Sequence, residues 1–120
     1  MTRATFHCDC GADPEIRSIR LSLVSLNPPY GAVRVRGAAD APWTPLDRIA
    51  KPTDVAAATP YVEVELLDQT RSCTLACIGW TASDGTLRPC PEIKEMTLKQ
   101  GDTRFRAPSP QPFPPGPRRP

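Results

Sequence analysis

Five cysteines and one histidine are the residues of this sequence best suited to binding a metal ion. Thiolate sulfur and imidazole nitrogen bind zinc, and thiolates also hold iron–sulfur clusters. Four such ligands complete a structural zinc site, so the sequence offers more than one ion needs. The preferred ligand set is Cys8, Cys10, Cys90 and either Cys73 or Cys77, with His7 as a substitute ligand.

The spacing of the cysteines weakens this metal hypothesis. Cys8 and Cys10 are separated by a single residue, whereas zinc sites usually use more widely spaced pairs. Cys73 and Cys77 fall in a predicted strand, where they would share a face about 13 Å apart, too far to bind one ion or each other. Free cysteines in a strand of this kind are typical of a hydrophobic core. We therefore expect no cofactor; a zinc or iron–sulfur site, or a disulfide from Cys8 or Cys10 to Cys90, is the alternative.

Catalytic patterns are missing from the sequence. It has no phosphate-binding loop, no H-E-x-x-H motif and no G-x-S-x-G motif. His7 and Cys8 are neighbours, and adjacent side chains of an extended chain point to opposite faces. Glu63 and Glu65 share a strand face, as paired catalytic carboxylates can, but their alternation with valines predicts a solvated face. We expect a protein without enzymatic activity.

Proline and positive charge are concentrated at the C-terminus. The last fourteen residues, APSPQPFPPGPRRP, contain seven of the sixteen prolines. Residues 103–120 carry four arginines and no acid, a charge of +4, whereas the remaining 11 basic and 13 acidic side chains give residues 1–102 a charge of −2. Such proline spacing favours an extended polyproline II conformation. The sequence therefore predicts a small β domain over residues 1–106 and a basic arm over residues 107–120.

The arm has features of a segment that binds other proteins. Pro114, Pro117 and Arg119 fit the pattern P-x-x-P-x-R, which aromatic grooves of adaptor domains bind. A basic extended segment also suits docking on an acidic neighbour. The predicted partner-binding residues are Pro112, Phe113, Pro114, Pro115, Pro117, Arg118 and Arg119. We expect a structural or adaptor subunit of a larger assembly, such as a phage tail or capsid accessory protein, that contacts other subunits or copies of itself.

A free-standing binding module stabilised by the cysteines is the alternative function. Arg20, Arg34 and Arg36 would lie on one outer face, but barrels that bind single-stranded nucleic acid add stacking aromatics, and only Tyr30 is near. We therefore do not expect nucleic acid binding.

The N-terminal stretch MTRATFHCDCG has no apolar segment, and no run of apolar residues in the chain is long enough to span a bilayer. We expect synthesis in the cytoplasm without a signal peptide, with no membrane partner and with incorporation into a virion.

Alternating apolar and polar residues predict strands in the first half of the chain. The stretches RSIRLSLVSL and AVRVRG, joined by the turn NPPYG, predict a hairpin over residues 17–37. Thr44 and Pro45 predict the start of a short helix that ends before Pro52. Trp43 is expected to pack this connection against the body of the domain.

The sequence pattern also predicts strands in the second half of the chain. Tyr61–Leu67 predicts a strand with its valines inward, and RSCTLACIGW, apolar on both faces, predicts a central strand. ASDGT predicts a turn. MTLKQGDTRFR predicts a last hairpin around Gln100-Gly101-Asp102, with a short helix after Pro91 as the alternative. The fold class is therefore mainly β, a small antiparallel barrel or sandwich of about six short strands.

Overall fold

A computed structural model describes residues 2–8, 16–27, 33–46, 49, 51–67 and 70–102 of the chain. The prediction of a mainly β protein is confirmed, although these ranges hold eight strands rather than about six, and no helix. The strands are β1 (Thr2–His7), β2 (Ile16–Asn27), β3 (Val33–Arg36), β4 (Thr44–Leu46), β5 (Thr53–Ala56), β6 (Tyr61–Leu66), β7 (Ser72–Ala82) and β8 (Leu87–Lys99).

The strands form two antiparallel sheets that share one core. Sheet A has the order β1-β6-β3-β4 and sheet B the order β5-β2-β7-β8, so the described strands do not close into a barrel. Period-two alternation places one side of each sheet inward. Val62, Val64 and Leu66 of sheet A and Leu21 and Leu75 of sheet B are fully buried in a single apolar cluster. Each of these side chains contributes about 1.5–3 kcal/mol of burial free energy.

Strand β7 is the central strand that its two apolar faces predicted, because β2 and β8 pair with it on either side. It leads into the predicted turn, where Gly85 has a φ of 88°. The Asp84 carboxylate accepts a hydrogen bond from the backbone N–H of Thr86 at 3.0 Å. A left-handed backbone at Gly85 and an aspartate bonding two residues ahead are standard turn devices.

The predicted hairpin over residues 17–37 is wrong, although both of its strands exist. Strand β2 pairs with β5 and β7 in sheet B, whereas β3 pairs with β4 and β6 in sheet A. Charges match across the pair of β3 with β6: Arg34 stands opposite Glu65, and Arg36 opposite Glu63. Opposite charges directly across a strand pair are stabilising. Local turn chemistry at NPPYG therefore did not decide the pairing.

The helix predicted after Thr44, and the helix that was the alternative after Pro91, are both replaced by strands. Thr44–Leu46 forms β4, which pairs with β3, and the segment after Pro91 continues β8 to Lys99. Prolines within the described strands, namely Pro45, Pro89 and Pro91, all lie on edge strands, where a missing N–H removes no ladder bond. The predicted turn follows β8, with Gly101 at a φ of 88°. The strand expected after it lies outside the described residues.

The outer edge of β8 is interrupted in two places, by a bulge and by a side-chain cap at its C-terminal end. Cys77 pairs with Lys94 and Gly79 with Pro89, so four residues of β8 bulge opposite Ile78 alone. At the other end, the backbone N–H of Lys99 donates to the Asp102 carboxylate at 3.0 Å. Prolines, bulges and side-chain caps along an edge discourage pairing with another chain. Strand addition is therefore disfavoured at this edge.

Gly37 allows the two sheets to approach where β3 ends. It forms an isolated parallel bridge with Ala57, which follows β5. A Cβ atom at position 37 would lie 2.7 Å from the Cβ of Ala57 and 2.8 Å from its Cα, closer than such atoms approach. Only glycine fits this crossing without moving backbone.

We predict that Gly37→Ala lowers the free energy of unfolding by about 1–3 kcal/mol, because the added methyl overpacks a backbone contact. Ala39→Ser, which adds one heavy atom at an exposed position two residues away, should change it by less than about 0.5 kcal/mol. Urea unfolding of both variants measures the difference. Equal midpoints would show that the crossing is not tight.

Candidate functional site

The outer face of sheet A carries a charged cluster that the sequence did not predict. Glu63 and Glu65 of β6 are only 3% and 0% exposed, so the prediction of a solvated face is wrong. Glu65 contacts the guanidinium groups of Arg3 at 2.8 Å and Arg34 at 2.5 Å. Glu63 pairs with Arg36 at 2.7 Å. Neighbouring strands β1 and β3 thus supply the cations that a buried carboxylate requires.

Trp43 covers this cluster from outside. Its ring lies 5.7 Å from the guanidinium carbon of Arg3, 4.6 Å from that of Arg34 and 4.2 Å from that of Arg36. Arginine favours such stacking because its planar cation is weakly hydrated and is attracted to the ring face. Trp43 precedes β4 directly, so the short β3–β4 pairing holds the indole over the arginines. The expectation that Trp43 packs its connection against the body agrees with this position.

The electrostatics of the cluster are those of a satisfied structural network. Burial opposes the charge on Glu65, but hydrogen bonds from Arg3 and Arg34 outweigh it and hold the pKa of Glu65 below its usual value. Both carboxylates are engaged by arginines and covered by the indole. Neither is placed as a catalytic acid or base, which must reach a substrate proton.

Arg20 lies elsewhere, although the sequence grouped it with Arg34 and Arg36. It belongs to β2 in sheet B, where its guanidinium contacts the Asp54 carboxylate at 2.8 Å. The hydrogen bond from Arg20 lowers the pKa of Asp54. The signal that could have located the cluster is the match between Arg-x-Arg at 34–36 and Glu-x-Glu at 63–65. Either alternation alone does not indicate a partner. The two predict that β3 and β6 are neighbours only when the charges of both segments are compared.

We predict that Glu65→Gln lowers the free energy of unfolding at neutral pH by about 1–3 kcal/mol, because two guanidinium groups lose a charged acceptor. Asp54→Asn breaks an exposed pair and should cost less than about 1 kcal/mol. Urea unfolding compares the two. An equal loss in the free energy of unfolding for the two variants would contradict the stabilising role of the buried ion pairs.

The Glu65→Gln variant also tests how the stabilising effect of Glu65 depends on pH. A carboxyl group whose pKa is lower in the folded state stabilises the fold above its unfolded pKa, and this contribution is lost as the pH falls through the folded pKa. The stability difference between the natural chain and Glu65→Gln should therefore be full near neutral pH and shrink below about pH 4. A difference that stays constant into acid would contradict the lowered pKa of Glu65.

The cysteines are distributed over the fold rather than gathered. Cys8 follows β1 in sheet A, is fully buried and donates its backbone N–H to the carbonyl of Pro60 at 2.7 Å. Cys73 and Cys77 lie on β7 and are buried, and Cys90 packs half-buried against the core from the bulge of β8. The register of β7 with β8 is regular from Ser72 to Cys77. Cys73 and Cys77 therefore remain about 13 Å apart along the strand.

Within the described residues, no group of three or more histidine, cysteine or acidic side chains could hold a metal ion. No disulfide joins the four cysteines of that part of the chain. His7 is exposed and stacks on Tyr61, with ring centroids 4.5 Å apart. Cys10 lies outside the described residues. The metal site and a disulfide involving Cys10 therefore stay predictions.

Burial controls thiol reactivity in this fold. Desolvation raises the pKa of Cys73 to about 12, so its thiol carries almost no thiolate at neutral pH. We predict that native Cys73 resists alkylation by iodoacetamide while the half-buried Cys90 reacts, and that both react after unfolding. Peptide mass spectrometry measures the modification at each site. Rapid native labelling of Cys73 would contradict its place in the core.

A separate cleft opens where the two sheets meet near Gly37. It has a volume of about 380 Å³ and is lined by five alanines (Ala38, Ala41, Ala56, Ala57 and Ala58) together with Ile16, Gly37 and Asp40. We call it the alanine cleft. Asp40 is exposed and is the one charged residue of the lining. The cleft is thus apolar, shallow and acidic at one side.

No known protein family, curated protein or solved structure matches the chain. None of the described segments is a helix long and apolar enough to cross a membrane. The predicted partner-binding residues of the arm lie outside the described residues, as does Tyr30. Any functional conclusion therefore has to come from the chemistry of this chain itself.

Proposed function

We propose that this protein is a non-enzymatic structural or adaptor subunit of a larger assembly, and that its basic arm binds neighbouring subunits. A virion, with the chain as a tail or capsid accessory component, is the proposed setting. The observation that carries the proposal is the contrast between the arm and the domain. Residues 103–120 have a charge of +4 and no acid, whereas the described domain neutralises its buried acids internally.

The absence of a catalytic role is part of the proposal. Glu63 and Glu65, the paired carboxylates, are buried in ion pairs with arginines. His7 stacks on Tyr61 at the end of β1, while Cys8 is buried beside it. Neighbouring residues on opposite faces of a strand do not form a nucleophile–base pair.

Three of the four edges of the described sheets favour association through the arm over strand addition. Edge strands β4 and β5 are three and four residues long, whereas the fourth edge, β1, is a regular strand of six residues. Strand β8 is interrupted by its bulge and capped by Asp102. Short, bulged or capped edges resist edge-to-edge pairing. An extended arm can join subunits while leaving these edges unpaired.

The test compares the full chain with a variant that lacks residues 107–120. We expect the full chain to associate with copies of itself at high concentration and the deletion variant to stay monomeric, with light scattering reporting mass. At a concentration where both are monomeric, the two should unfold at the same temperature, because the proposed role of residues 107–120 is association. A full chain that remains monomeric, or a deletion variant that associates equally well, would overturn the proposal.

A further inference from the structure

We propose that the alanine cleft of one copy of this chain binds the arm of the next copy, so that the subunits associate head to tail. This inference rests on the proposed function and adds the docking site and the symmetry. It is carried by three features of the molecule: the positions of the cleft and of the arm's origin, the charge at the cleft, and the shape of its lining.

The cleft and the last described residue, Asp102, lie at opposite ends of sheet B. Ile16, which lines the cleft, pairs with Ala82 at the end of β7. The chain leaves the described domain after Asp102, next to the start of β7, where Gln100 donates its N–H to the carbonyl of Arg71 at 2.7 Å. Eleven residues of β7 separate the two ends, about 33 Å at a strand rise of 3.3 Å.

The arm is long enough to reach a neighbouring copy. Fourteen residues in an extended polyproline II conformation would span about 43 Å and form a semi-rigid spacer. That span exceeds the length of β7, so the arm of one copy could enter the cleft of another. Crosslinking between isotopically distinct copies separates this arrangement from docking on the arm's own domain.

Charge complementarity selects the alanine cleft over the other described pocket. The second pocket, on sheet B, has no acidic residue in its lining, and its two charged residues, Arg20 and Arg88, are already paired with Asp54 and Asp84. The alanine cleft has Asp40 as its one charged lining residue. Opposite charges steer and orient such an encounter.

The lining of the cleft also suits proline. Alanine methyl groups and Gly37 leave a shallow apolar surface without long side chains. Proline rings are compact and rigid, and a preformed polyproline II segment loses little entropy on binding. We place Pro114, Pro115 and Pro117 against the alanines, with the following arginines beside Asp40. Because a different surface is used on each copy, the contact is heterologous and builds rings or filaments.

The first test reverses the charge of the cleft in the full chain. Asp40→Lys should weaken self-association at least about tenfold, because attraction becomes repulsion. Glu92→Lys makes the same charge change at an exposed position on β8 and should leave association unchanged. Adding Arg118→Asp and Arg119→Asp to the Asp40→Lys chain should restore association. Equal loss in Asp40→Lys and Glu92→Lys, or no rescue, would overturn the proposed site.

The second test locates the contact directly. A photoreactive benzoylphenylalanine at position 113, in a mixture of isotopically light and heavy chains, should crosslink to residues 37–41 or 56–58 of a different copy. Crosslinks confined to single copies would overturn the head-to-tail arrangement. If deletion of the arm abolishes association but no crosslink reaches the cleft, the cleft assignment fails while the proposed function stands. If deletion has no effect, the proposed function itself fails.

Discussion

The buried carboxylates of β6 impose the constraint on which sheet A depends. A glutamate that is removed from water must be neutralised and hydrogen-bonded, because an unpaired buried charge costs several kcal/mol or more. Glu65 meets this requirement with guanidinium groups from both neighbouring strands, and the ring of Trp43 stacks on the same arginines. Strand order, register and the position of the β3–β4 connection are thus consistent with one electrostatic requirement. A register shift of one residue would turn these acids into the apolar core.

This arrangement divides the molecule into a self-contained domain and a chemically different arm. The domain pairs its buried charges internally and blunts β8 with a bulge, two prolines and the Asp102 cap. The arm has no acid with which to pair its arginines. In the proposed assembly, the acidic side of the alanine cleft of another copy supplies the complementary group, and β7 separates that cleft from Asp102 at the end of the described domain.

The sequence predicted strands more reliably than it predicted their partners. Period-two alternation located β2, β3, β6 and β7, because each has one face in the core and burial of that face is a local signal. The prediction of a helix at Thr44–Leu46 is wrong, because Pro45 is typical of a helix start but is also tolerated on an edge strand. The pairing of β3 with β6 was missed because it depends on residues about thirty positions apart. The burial of Glu63 and Glu65 is also invisible to the sequence pattern, because alternation distinguishes the two faces of a strand but not water from a layer of arginines and indole.

Native mass spectrometry of the full chain tests the central claim most directly, because it reports association and bound metal in one spectrum. The account predicts masses at whole multiples of the chain mass, without added zinc or iron, and a distribution that shifts to larger species as the concentration rises. A concentration-independent monomer that carries the mass of zinc or an iron–sulfur cluster would contradict it. That result would make the cysteines, rather than the arm, the basis of function.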